Sequence, residues 1–144
     1  MDATQPTGDR RHDEPRVTVT VPREDIPHFA DSVTVCTRCA SWPLEDLDRI
    51  EPDTPVADTL TELDATTARV KEWLHLLGAL QDAQESGAPS VTMTMPASFA
   101  EKIASDGVEM AREEGFELGA LEQARRLAFY GAIIERVVAG HAAR

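Results

Sequence analysis

From Val17 to Val21 the chain alternates valine with threonine, and Pro22 closes the run. A period of two with one apolar face predicts a strand half buried against a core. Apolar residues then fall at Ile26, Phe29, Ala30, Val33, Cys36 and Ala40, the spacing of one helix face. Pro27 fits this helix only in its first turn, where no backbone donor is lost. Trp42-Pro43 stops the run, and Leu44–Ile50 predicts a short acidic helix. Next, Val56, Leu60, Leu63, Thr67, Val70, Leu74 and Leu77 recur at alternating intervals of four and three, a heptad seam that Trp73, Leu76 and Leu80 widen. Thr54 suits the cap of this helix, Pro55 its first position and Gly87-Ala-Pro89 its end. The pattern predicts about thirty helical residues, roughly 45 Å, packed along another long helix.

The strand pattern then returns. Val91-Thr-Met-Thr-Met-Pro96 matches Val17-Thr-Val-Thr-Val-Pro22 at four of six positions, and both differences exchange Val for Met. The same offset pairs Phe29 with Ile103, Ala30 with Ala104 and Cys36 with Met110. A helix over Ala97–Glu114 follows, broken near Gly115, and another from Phe116 to Ala139. Ala120, Ala124, Leu127, Gly131, Ile134 and Val138 form its seam, with small residues that admit a close neighbour. From Leu127 to Val138 only Glu135-Arg136 interrupts the apolar surface. A helix apolar all round is central or lies at an interface, and in a chain this small an interface is expected.

These patterns predict a mostly helical α+β fold: two strand-helix repeats in one compact domain, with the strands paired as a small antiparallel ribbon or sheet beside long packed helices. Residues 1–16 read as a flexible polar tail, 17–88 as the first repeat and 89–144 as the second, both sharing one core. A lone two-stranded ribbon is marginal in water. The strands therefore pair with each other about a pseudo-twofold, or with those of a second subunit. Either way the Val/Met face packs on helices, and Thr18, Thr20, Thr92 and Thr94 look outward.

Composition adjusts this picture in two ways. Aromatics are only 5% of 144 residues while apolar residues reach 42%, so the core is aliphatic and suits packed helices. The net charge is −12, concentrated in Glu45–Asp64 and Glu101–Glu117. Such a surface repels phosphate backbones and suits a basic partner protein, cations or solubility, so nucleic acid is not the expected partner. The first sixteen residues lack the apolar stretch of a secretory signal, and no run is long enough to span a membrane. With two cysteines, a reducing cytoplasm is the expected compartment.

An alternating strand ending in proline, an amphipathic helix, a glycine-containing turn and a second helix together resemble the ribbon-helix-helix DNA-binding unit. The resemblance covers forty to fifty residues of each copy. It implies that outward ribbon residues read the major groove, a role that would fall to the four threonines. This chain departs from that pattern in its longer helices, in threonine where Arg, Lys, Gln or Asn would stand, and in its acidic surroundings.

Two spacings point to chemistry. Cys36-Thr-Arg-Cys39 is a C-x-x-C pair, a candidate for a metal or redox site. A zinc site needs four ligands, and His12 and His28 are the histidines that precede it. Redox use of the motif wants it after a strand in a βαβ setting. Glu72-Trp-Leu-His75 has the E-x-x-H spacing of di-iron bundles, but Glu72 falls on the solvent side of its seam. His12 in the tail and His141 near the C-terminus have no catalytic company. No motif calls for a cofactor, and no catalytic residues are nominated. The expected function is a non-enzymatic cytoplasmic protein acting by homo-oligomerisation through the C-terminal apolar helix or by binding a partner protein. The alternatives are a ribbon-helix-helix-like DNA-binding regulator and a metal or redox protein using Cys36 and Cys39.

Overall fold

The computed structural model describes residues 14–40, 52–53, 55 and 68–142. The predicted acidic helix at Leu44–Ile50, the Val56–Thr67 part of the heptad seam, the cap at Thr54 and most of the polar tail lie outside the described residues. Within them the order is β1 (Arg16–Pro22), a 3-10 turn (Arg23–Asp25), α1 (Ile26–Ala40), α2 (Ala68–Ser86), β2 (Ser90–Pro96), α3 (Ala97–Glu113), α4 (Gly115–Leu118) and α5 (Ala120–Ala142). This is the predicted mostly helical α+β architecture with one two-stranded antiparallel sheet.

The two strands pair with each other. Arg16 faces Pro96, Val19 faces Met93 and Pro22 faces Ser90. The sequence repeat superposes Val19 on Met93, and these same residues lie opposite each other at the centre of the ladder. A pseudo-twofold axis therefore passes through that rung. Two further backbone bonds obey it: the Arg23 amide donates to the Pro89 carbonyl at 2.9 Å, and the Ala97 amide donates to the Pro15 carbonyl at 2.8 Å. Position 97 is the repeat partner of 23, and 89 of 15. Each bond ties the end of one strand to the entry of the other.

Alternation decides the two faces of the ribbon. Val19, Val21, Met93 and Met95 are buried against the helices, whereas all four threonines are exposed. Below the ribbon, Val33, Leu74, Leu77, Leu80, Ile103 and Ala104 fill one continuous core. The offset partners Phe29 and Ile103 are both buried, as are Ala30 and Ala104. Met110 departs from its partner Cys36: it is only half-buried, and Ala111 takes the core position instead. Trp73 stacks on Phe99 with ring centroids 3.9 Å apart, joining the second helix of the first copy to the first helix of the second.

One boundary differs from expectation, and the stop at Gly87 falls where the sequence places it. The break after α3 is wider than a single glycine, because Gly115–Leu118 coils as a separate turn and α5 starts only at Ala120. Gly119 makes that start possible, with φ at +87°, where a side chain would be strained. At the end of α2, Gly87 (φ +69°) adopts the left-handed conformation, its amide donates to the Gln84 carbonyl, and the Ala88 amide donates to that of Ala83. This is a Schellman stop, and it turns the chain directly into β2.

Candidate functional site

The ribbon's outward face is assembled from the even positions of both strands. Thr18 and Thr94 hydroxyls lie 3.1 Å apart and those of Thr20 and Thr92 3.0 Å apart, so each rung is closed by a side-chain hydrogen bond. Cross-strand pairs of this kind stabilise the exposed face without apolar cover. Arg16 reaches across the ribbon, donating to Glu72 at 2.7 Å and, longer, to the Thr94 carbonyl at 3.4 Å. From the other edge, Arg136 of α5 donates to the Thr18 carbonyl. Both guanidinium groups thus flank one rung, Thr18–Thr94, and not the other.

Beside that rung lies an open cleft of about 410 Å³, lined by Arg16, Lys71, Glu72, His75, Leu76 and Thr94 among others. The E-x-x-H pair is here, on the outer side of α2 away from the buried Val70, Trp73 and Leu74. Glu72 and His75 therefore face a basic cleft and not a bundle interior. Among the described residues, no group of three or more His, Cys, Asp or Glu side chains is arranged to hold a metal ion.

Comparison with family models, with curated proteins and with solved structures found no match.

The C-x-x-C pair sits at the C-terminal end of α1. Cys36 is buried and Cys39 exposed, and both are free thiols. Burial, and then the Asp106 carboxylate, push the Cys36 thiol up to about 12. The negative end of the helix dipole also disfavours a thiolate there, the reverse of the arrangement in reactive cysteines. Cys36 packs as an apolar core residue beside Val33.

One cluster escaped the sequence reading. Asp25, His28 and Tyr130 are all buried and hydrogen-bonded in series: His28 Nε2 lies 2.7 Å from Asp25 Oδ1, and His28 Nδ1 lies 2.6 Å from the Tyr130 hydroxyl. Desolvation by burial holds the His28 pKa below its ordinary value, against the opposing pull of Asp25. The imidazole is then neutral, with Nε2–H donating to the carboxylate and the Tyr130 hydroxyl donating to Nδ1. Arg125 donates to the same Asp25 oxygen at 2.8 Å and pairs with Glu122, which also accepts from Arg126. These two arginines hold the Glu122 carboxyl well down, to about 2. The series has the connectivity of a nucleophile, base and orienting acid. Its terminal hydroxyl, however, belongs to a tyrosine that is 1% exposed. A group without surface cannot meet a substrate, so the series acts as a clamp between α5 and the start of α1. The one sequence signal for it was the Asp25/His28 spacing of three on a helical turn. Tyr130, 102 residues away from His28, carried none.

The outer face of α5 is the remaining feature. The core positions of this helix are Tyr130, Ile133 and Val137, with Phe129 and Ile134 packed partly against them. The expected seam is therefore divided: Ile134 faces the core, while Ala120, Ala124 and Val138 are exposed. Leu121 (88% exposed), Ala128, Ala132 and Val138 (59%) continue an apolar stripe along the outside. None of the described helices is long and apolar enough to cross a membrane.

Proposed function

We propose that the protein works by association and not by catalysis, with the outer face of α5 as the docking surface for a second copy of the chain. The observation that carries this reading is the exposed apolar stripe Leu121–Ala124–Ala128–Ala132–Val138 on a helix of 23 residues, about 34 Å long. Its intervals of three, four and four from Leu121 to Ala132 are those of a seam that a partner helix fills, and exposed Glu135 stands in the longer gap before Val138. An antiparallel copy centred near Tyr130 sets Ala128 against Ala132 and Leu121 against Val138. It also brings Arg125 towards Glu135 of the second copy, and Glu122 towards its Arg136. Small residues at the centre permit close approach, and opposite charges at the ends fix direction.

The wild-type chain should give a light-scattering mass twice the 15.7 kDa of one chain. Val138→Glu together with Leu121→Glu should return it to the monomer mass with the helical circular dichroism unchanged. Ile134 is a poor position for this test, since it packs partly against the core. A monomeric wild type at working concentration ends the reading. Two free cysteines fit a reducing cytoplasm, which we take as the compartment of action.

A second reading keeps the ribbon-helix-helix resemblance. It is favoured by the exposed threonine face on a pseudo-twofold ribbon built within one chain. Against it stands the net charge of −12, because base readout follows phosphate anchoring.

A further inference from the structure

The two ends of the ribbon are not equivalent, and the difference is chemical. Under the pseudo-twofold, Arg16 corresponds to Ser90, so the strand end that carries a guanidinium in one copy carries a hydroxyl in the other. Arg136 adds a second guanidinium, and it too comes to the Thr18–Thr94 end. Lys71 and His75 line the cleft that opens on Thr94. On a chain of net charge −12, the cationic side chains of Arg16, Lys71 and Arg136 thus gather about one end of the ribbon.

Among the described residues one acid lines the cleft, Glu72, and it is paired with Arg16 at 2.7 Å. The two side chains are 51% and 34% exposed, so water screens their attraction and little is lost when Arg16 turns away. A doubly charged anion in the cleft offers Arg16 a stronger, forked acceptor than one carboxylate oxygen does. Lys71 contributes a point charge, and the Thr94 hydroxyl, now shared with Thr18, is free to rotate and donate to the anion.

We infer that the cleft between α2 and the Thr18–Thr94 end of the ribbon is a binding site for a small phosphoanion, held by Arg16, Lys71 and the Thr94 hydroxyl. A free phosphate or diphosphate group fits this one-sided arrangement. A duplex backbone would need cations turned to it at both ends of the ribbon, whereas at the far end Ser90 stands in the place of Arg16 and the Arg23 guanidinium is turned to the Gly87 carbonyl. The inference is independent of self-pairing through α5, whose docking stripe lies on a different face.

Amide NMR titration of the full chain with pyrophosphate at constant ionic strength tests it. Saturable shifts at Thr18, Lys71 and Thr94 are expected. Arg16→Ala with Lys71→Ala should weaken binding about tenfold or more, since charge-assisted bonds are lost. Glu72→Gln should tighten binding, because it frees Arg16 and removes a repelling charge from the cleft. Arg23→Ala, at the other end of the ribbon, should leave it unchanged. No saturable shift, or binding that survives the double substitution, overturns the site. A random DNA duplex serves as the comparison arm. Tighter binding of duplex than of pyrophosphate, lost on Thr20→Ala, would overturn the small-anion assignment in favour of groove reading.

Discussion

Asp25→Ala lowers the unfolding free energy by about 3 kcal/mol, the cost of breaking a buried polar network by removing its shared acceptor. Asp25 Oδ1 accepts from both His28 and Arg125, and its side chain is only 2% exposed. Alanine leaves the buried Nε2–H of His28 with no acceptor and no route to water. Arg125 suffers less, since its side chain is 35% exposed and still pairs with Glu122. Asp25→Asn keeps an acceptor oxygen in place and should lose clearly less. Urea unfolding at neutral pH measures both, with a midpoint shift of about 1 M or more for the alanine variant and an unchanged slope. An alanine variant within about 0.5 kcal/mol of wild type would show that the series clamps nothing.

The second large effect has the opposite sign to ordinary helix chemistry. Replacing a glycine in a helix interior by alanine usually stabilises by about 1 kcal/mol. Gly107 lies inside α3 and is buried, yet a Cβ built there runs into the Cζ, Cε1 and Cε2 ring carbons of Tyr130. The ring cannot swing aside, because Tyr130 is enclosed and its hydroxyl is held by His28. Overpacking therefore wins, and Gly107→Ala should destabilise by about 2 kcal/mol net. Tyr130→Leu destabilises alone, but combined with Gly107→Ala it should show a favourable coupling, because the clash is gone. Simple additivity in that double-mutant cycle, read from urea midpoints, would refute the contact.

The proposed docking stripe and the clamp both depend on α5. In the second copy the position equivalent to Asp25 is Phe99, and Phe99 stacks on Trp73. One copy thus fastens its first turn to a neighbouring helix through a buried polar series, and the other through stacked aromatic rings. The polar fastening is directional and tolerates no slippage of α5 along the core. An apolar stack is more forgiving of small shifts. A helix whose outer face must present a straight seam gains from the stricter of the two.

The sequence by itself determined every element whose cause is local. Alternation of valine and threonine set the strands and their faces, because a strand turns successive side chains to opposite sides. Pro22 and Pro96 ended them, and Gly87 stopped α2, because those residues restrict or free the backbone itself. The repeat permitted an antiparallel pseudo-twofold pair, but its offset maps every strand residue alike, so the structure decided that Val19 and Met93 form the central rung. Only the tertiary structure decided which groups met across the chain. Tyr130 finding His28 and Gly107, Arg16 crossing to Glu72, and Arg136 arriving at Thr18 depend on the rotation and tilt of helices against the ribbon. These were invisible for one physical reason: periodicity records which face of an element is apolar, not which residue on another element that face meets. The outer stripe of α5 shows the limit most clearly. Sequence declared the helix apolar all round, and only packing separated the side that Tyr130, Ile133 and Val137 bury from the side that Leu121 and Val138 leave open.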